Sequence, residues 1–403
     1  MYKIVIFGFG GRCVELLLNL YDAVVNTEMN IIIVAIYDSF YNEVIAKLSQ
    51  EKMAKIKYFM KNTKIYSENI NEENIYLEND FDVSFITSQN YKHYHSLLLA
   101  LKYNKNIYCE KPIVKDLDDL LDIEQKFRGN KKFFQIGLTL RYTKMVDIVL
   151  PHLHKIGRLV RVYGKEFINI GHGVHIMVGW RRYKYLSGGL GLEKVVHDYD
   201  LLLYFMEKVF HIPITNVKIS GIAKKTFWTK ENEKQILENI NQNEDLFKCY
   251  HRWSTRIHQT LVDSPFENLD HYGIVPDYQK INMYFEDCDI NLDFELDIGG
   301  YRTKTERCYE FYGTNGKIII DVINSKMQVL LKNEEYDIDL QGDGSSHSGG
   351  DRYNVQIFIE LLKGNICPNI PSFEEAVRST HIGILCEKAI EENKIYEFKL
   401  HNQ

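Results

Sequence analysis

No stretch of this sequence is apolar for long enough to cross a membrane. The runs over residues 1–7 and 31–36 are of strand length, far below the roughly 20 apolar residues of a spanning helix. Gly8, Gly10 and Gly11 break the first run where the core of a signal peptide would have to continue. The seven cysteines (Cys13, Cys109, Cys249, Cys288, Cys308, Cys367 and Cys386) are scattered, odd in number and never spaced Cys-x-x-Cys. That pattern argues against a disulfide framework, and no Cys/His grouping has the spacing of a structural zinc site. There is no internal repeat and no low-complexity tract. Nor is there a basic excess: 49 Lys and Arg face 55 Asp and Glu, a formal charge of −6, which gives no nucleic-acid signal. These absences leave a cytoplasmic enzyme with no metal as the simple reading. With 403 residues, 45% of them apolar, the chain can bury two cores.

What is present begins as alternating strands and helices. Residues 3–7, 31–36, 83–86, 107–109 and 133–137 are short β-branched or aromatic runs of the kind buried on both faces of a parallel sheet. Between them, residues 14–20, 42–59, 93–103 and 116–127 carry apolar residues at helical spacing. This order predicts an α/β doubly wound sheet. Gly8, Asp38, Asn90 and Lys111 each follow a strand, so they share the edge where such sheets bind ligands. After about residue 140 the pattern changes. Residues 158–170, 213–228, 280–296 and 305–321 hold alternating strand candidates, as in a largely antiparallel sheet, and residues 193–205 read as a helix. Residues 230–245 are polar, with Ile236, Leu237 and Ile240 as the few apolar anchors, and read as a loop or poorly buried insertion. Residues 342–350, GDGSSHSGG, read as a flexible segment before a helix over 351–362. The boundaries predicted are 1–138 for the first domain and 139–403 for the second, with a late return of the chain to the first domain left open.

Gly8-Phe9-Gly10-Gly11-Arg12-Cys13 lies between a strand and a helix, the setting in which a glycine turn cradles a pyrophosphate against unpaired helix N–H groups. Cys13 stands where the usual pattern has a third glycine, and it is small enough to keep helix and strand close. Asp38 ends the second strand, 28 residues beyond Gly10. Its carboxylate suits ribose hydroxyls and repels a 2′-phosphate, which favours NAD while leaving NADP open; capping a helix is the plainer use of such a residue. Lys111 follows the strand over 107–109 and precedes Pro112. An ammonium held there suits an oxygen that gains charge during hydride transfer. Glu193 and His197, four apart, share a helix face. An imidazole accepts a hydroxyl proton near neutral pH, and the carboxylate could orient it. Gly188, Gly189 and Gly191 precede this helix, leaving room for a bulky ligand or making an ordinary loop. Asp200 either joins the face of His197 or braces the helix.

Gly8 to Cys13, Asn90-Tyr91-Lys92-His93, Glu110-Lys111-Pro112 and Gly188 through Asp200 together resemble the Gfo/Idh/MocA oxidoreductases, over nearly the whole chain. The resemblance implies an N-terminal Rossmann domain and a C-terminal α/β domain with an open, mainly antiparallel sheet that often supports a homodimer or homotetramer. It implies Lys111 near the reacting oxygen, His197 as proton acceptor, and Glu193 where the family often has Asp. The cofactor set it implies is Gly8, Phe9, Gly10, Gly11, Arg12, Cys13, Asp38, Thr87, Asn90, His93, Glu110 and Lys111. Arg141, Tyr142, Trp180, Arg181 and Arg182 fall where such proteins hold substrate, beside Lys111 and His197. His172 and His175 are less specific, and His347 and Asp351 bracket a late glycine pair that can approach the site in similar proteins.

The expected activity is NAD(P)-dependent transfer of hydride to or from a secondary alcohol or ketone of a sugar, polyol or nucleotide sugar. Three other outcomes fit the same resemblance: glycoside cleavage assisted by transient oxidation, a carbohydrate- or redox-sensing protein without turnover, and an imine or enone reductase.

Overall fold

Six parallel strands in the order β3-β2-β1-β4-β5-β6 build the first sheet: β1 (Tyr2–Phe7), β2 (Ile31–Tyr37), β3 (Lys64–Tyr66), β4 (Val83–Ile86), β5 (Asn106–Cys109) and β6 (Phe134–Ile136). The helices between them are α1 (Gly11–Val24), α2 (Tyr41–Ala46), α3 (Gln50–Lys57), α4 (Glu72–Glu78), α5 (Asn90–Lys102) and α6 (Leu117–Phe127). The structure is a computed structural model that describes residues 1–67, 70–244, 248, 274–299, 304–343 and 347–399. Its contacts divide the chain into two units, residues 1–142 with 349–378, and residues 143–348 with 379–403.

The central strands β1 and β4 are nearly all buried, which is why they read as apolar runs rather than alternating, while the edge strand β3 is largely exposed. Ile4, Ile6, Ile33, Val83 and Phe85 pack with Leu16, Leu17 and Leu20 of α1 in one core. The strand order reverses between β1 and β4, so the loops after β1, β2, β4 and β5 gather at one edge. The helix expected over residues 42–59 is two short ones. Ser49 breaks it, its hydroxyl accepting from the Lys52 amide at 3.3 Å and capping α3 as a new start.

The second unit continues with α7 (Lys144–Leu153), β7 (Leu159–Phe167), α8 (Ile170–Met177), α9 (Lys184–Ser187), α10 (Val196–Phe210), β8 (Asn216–Lys224) and α11 (Glu233–Asn241). Next come β9 (Tyr278–Phe285), β10 (Ile290–Asp297), β11 (Glu306–Gly313), β12 (Gly316–Asp321), β13 (Lys326–Leu331) and β14 (Glu334–Asp339). Its sheet runs β14-β13-β12-β11-β7-β10-β9-β8-β15, closed by β15 (Tyr396–Lys399). Every pairing is antiparallel except β7 with β10. The strand candidate over 280–296 is a hairpin, β9 and β10, turned near Asp289 at φ 53°.

Residues 233–241 correct the expectation of a loop. They form α11, with Ile236 and Ile240 wholly buried. Two isoleucines four apart make one narrow apolar stripe, which is enough when it docks on a core. Asp245 and Cys249 lie outside the described residues, as do residues 344–346 of the glycine- and serine-rich segment. That segment leads into α12 (Gly350–Leu362), which belongs to the first unit; the last helix, α13 (Phe373–Glu392), is shared between the two. Among the described residues no helix is long and apolar enough to cross a membrane.

Candidate functional site

In the first unit, the turn after β1 is shaped for close approach. Gly8 has φ +94°, and a Cβ there would stand 2.4 Å from the backbone of Ser88, so both conformation and space require glycine. A Cβ on Gly10 would meet no atom within 4 Å, which leaves its backbone open to a ligand, and Gly10 gives α1 no side-chain cap. An uncapped helix start behind an open glycine backbone is the cradle a pyrophosphate fills. The Thr87 hydroxyl donates to the Gly8 carbonyl at 2.5 Å. Cys13 is buried against it, its thiol pushed up to about 12 by burial, so it acts as a small packing residue rather than a nucleophile.

Asp38 closes the other side. Its two oxygens accept from the Phe9 and Phe40 amides, each at 2.7 Å. It therefore ties the glycine turn to the loop after β2 while facing a shallow cleft that Gly8, Ser39, Ser88 and Lys92 also line. Each carboxylate oxygen keeps a second lone pair for a ribose hydroxyl. The residues present thus fit an adenine dinucleotide.

Arg12 turns inward. It donates to Glu110 (Nε–Oε1 2.8 Å) and Thr139 (3.2 Å), and it pairs with Asp351 at the start of α12 (2.5 Å) and Glu15 (3.1 Å). Glu110 also accepts from the Tyr108 hydroxyl at 2.9 Å, and its carboxylate occupies the space that a side chain at Gly137 would need. The residue before Lys111 is thus held by a buried ionic brace. Lys111 itself is half-buried after β5, and the Lys111–Pro112 peptide is cis. The buried ring of His93 ties this loop to the one after β4: Nδ1 lies 2.9 Å from the Pro112 carbonyl and Nε2 3.1 Å from the Ser88 carbonyl. Asn90 is buried at the start of α5. Arg141 pairs with Glu375 at 3.2 Å, and the Tyr142 hydroxyl donates to the Ile136 carbonyl at 2.6 Å. These contacts brace the first unit, a task that the resemblance had not assigned to either residue.

In the second unit, His197 lies in the first turn of α10, 3% exposed. Residues 191–195 before it form a π-helical turn, a feature that often marks functional sites. Glu193, in that turn, accepts from Arg181 Nε at 2.7 Å, and the Arg181 guanidinium lies 4.6 Å over the Trp180 ring. The Nε donor of Arg181 is thereby fixed on the carboxylate four residues before His197. Arg182 is different: it is fully buried and donates to the Tyr183 hydroxyl at 2.6 Å, a core role.

The sequence reading missed what lies beneath this helix. Arg307 of β11 grips Asp198 with Nε and Nη2 (2.9 and 3.0 Å) and reaches Glu166 of β7 (3.0 Å), which also faces Lys194 (3.4 Å). The Tyr309 hydroxyl donates to Asp198 at 2.7 Å. Burial pushes Asp198 up to about 6 against the pull of Arg307, with Glu166 adding to the rise. The charge of Lys194, then burial, holds His172 well below its ordinary range. The available signal was a carboxylate among the apolar positions of β7, too weak to read without its partners.

The glycines before His197 are also explained, and not by ligand space. Cβ atoms on Gly189 and Gly191 would stand 2.2 and 2.8 Å from Glu387 of α13. That buried carboxylate accepts from the Gly191 amide at 2.6 Å and from Gln279 at 3.1 Å. Ser379 donates to Asp200 at 3.0 Å, and Gly383 lies against Leu192. Positions 379, 383 and 387 therefore form one stripe of α13 seated on the start of the His197 helix.

A Rossmann unit with an open glycine turn, in one chain with a mixed-sheet unit that presents a buried histidine, is the build of a two-domain dinucleotide-dependent oxidoreductase. Residues 3–138 match the family model for the oxidoreductase family NAD-binding Rossmann fold, and residues 152–398 match that for its C-terminal alpha/beta domain. The chain belongs to the Gfo/Idh/MocA oxidoreductase family. It is 27% identical over 140 residues to the oxidoreductase YteT of Bacillus subtilis, 32% of each chain. It is 28% identical over 148 residues to the inositol 2-dehydrogenase of Salmonella typhimurium, 35% of this chain and 40% of that one. These matches span about a third of the curated relatives' length. The crystal structure of myo-inositol 2-dehydrogenase from Lactobacillus plantarum superposes with a TM-score of 0.68 over 99% of both chains at 15% identity, a likeness of fold.

Proposed function

We propose that this protein is an NAD-dependent dehydrogenase acting on a secondary alcohol of a cyclic polyol or sugar. The observation that carries the reading is the setting of His197: a buried imidazole in the first turn of α10, behind a π-helical turn and above an ion-paired floor. A base fixed in this way costs little to orient when a hydroxyl arrives. Names among the relatives point to inositol-type polyols, and the Trp180–Arg181 pair offers the stacking face and donors that such substrates use.

When bound, the nicotinamide takes or returns the hydride. Lys111 holds the substrate oxygen and steadies the charge that grows on it. His197 takes the hydroxyl proton, and Glu193, paired with Arg181, keeps negative charge near the imidazolium that forms. Asp38 at the ribose end disfavours a 2′-phosphate, hence NAD. The family's open sheet supports assembly as a homodimer or homotetramer.

The test is a pair of variants measured against a polyol panel. His197→Ala should lower kcat by about 10²- to 10⁴-fold with most NAD affinity retained, and Lys111→Ala should lower kcat more than it lowers NAD affinity. Full turnover in either variant removes that residue from the mechanism.

A further inference from the structure

A base 3% exposed that takes a proton in every turnover must release it before the next, and a residue sealed from water needs a partner to do so. His347 is in contact with the His197 ring: the centroids are 5.4 Å apart and the planes inclined at 53°. A direct hydrogen bond or a single water spans such a gap. His347 is half-buried, less sealed from water than His197. The chain turns sharply just beyond it, with Ser348 (φ 49°) and Gly349 (φ 78°) both left-handed before α12 begins.

We propose that His347 carries the proton between His197 and solvent. The inference rests on the reading of His197 as the base. The steps balance. A bound nicotinamide would take the hydride of the carbinol carbon, while the carbinol oxygen gives its proton to His197. The imidazolium passes a proton to His347 and becomes neutral, and His347 delivers that proton to water or a buffer base. In reduction the same path runs inward. The charges around the rings suit a proton in transit. Lys194, with Arg307 and Arg181 near it, keeps His172 neutral, so the third imidazole does not retain the proton. Burial would raise Glu166, but Arg307, Lys194 and then His347 hold it below the usual carboxylate range, so it stays ionised beside the path; Asp198 pairs with Arg307 and Glu193 with Arg181.

The test uses His347→Gln, which keeps size and polarity but cannot carry the proton. In the protein without added ligand, imidazole NMR should show His197 titrating in a curve distorted by its neighbour. In the variant the midpoint should move upward, because a competing positive charge is gone. With NAD and the panel polyol that wild type oxidises fastest, kcat in dilute buffer should fall roughly tenfold or more. Added imidazole should restore it, with KM and NAD affinity unchanged. A His197 titration indifferent to residue 347, or turnover that ignores both the substitution and the buffer, overturns the proposal. Failure of the underlying reading shows separately, as turnover that survives His197→Ala.

Discussion

At the scale of single residues, the same atoms serve fold and chemistry. Asp38 is the clearest case, because the carboxylate expected to meet a ribose already accepts the Phe9 and Phe40 amides. Replacing it with Ser removes the charge that repels a 2′-phosphate and keeps one acceptor for the turn. NADP affinity should rise by roughly tenfold or more relative to NAD, as expected when a like charge beside a phosphate is deleted. The measurement is a pair of binding titrations with the two cofactors, checked by a thermal melt, since losing one amide contact costs about 1 kcal/mol. An unchanged NAD to NADP ratio would take Asp38 out of cofactor choice. This duality limits what sequence shows. Gly8, Asp38, Asn90 and Lys111 could be placed at one edge because each follows a strand, whatever else it touches. Arg12 was legible as a position but not as a role, since its partner Asp351 is more than 300 residues away in the chain.

At the scale of elements, strands and helices with a strong period were readable, and interruptions were not. The break at Ser49 is a local cap that ends one helix and starts another, whereas the docking of α11 by two isoleucines and the π-helical turn before His197 involve tertiary partners that override propensity. The glycine loop shows the reason best. Gly189 and Gly191 look like room for a ligand until α13 is brought against them and Glu387 fills the space. Gly191→Ala should therefore cost about 2–4 kcal/mol, because its Cβ would displace a buried carboxylate. Glu387→Ala should cost about 2–3 kcal/mol by stranding the Gly191 amide and the Gln279 amide. The two penalties should not add. With Glu387 truncated the new Cβ has room, so urea melts of the two single variants and the double variant should show a coupling of about 1–3 kcal/mol. Additive costs would mean that the loop's glycines answer to something other than this helix.

At the scale of the whole molecule, the first unit is assembled from two distant pieces of chain. Val355, Phe358, Ile359 and Leu362 of α12 belong to the same core as β1, β2 and α1. Phe358 packs edge-on against Phe85 and Tyr108, at 5.5 and 5.9 Å between centroids. Polar ties reinforce the apolar ones. Gln135 donates to the Asn354 carbonyl and side chain at 2.8 and 2.7 Å, and Asn354 donates to the Tyr108 hydroxyl at 2.8 Å. Through Tyr108 and Arg12, this late helix reaches Glu110, the residue before Lys111. A fragment of residues 1–142 alone would leave that core face open and Gln135, Tyr108 and Arg12 without their partners, a loss well beyond the margin of about 5–15 kcal/mol by which domains are stable. The fragment should therefore show no cooperative urea transition and no NAD binding by calorimetry. Joining residues 349–378 to it through a flexible linker should restore both, because closing a loop costs little beside the core it completes. Cooperative unfolding of the bare fragment would show that α12 decorates the Rossmann unit instead of completing it, and the brace at Glu110 would then have to hold without Asp351.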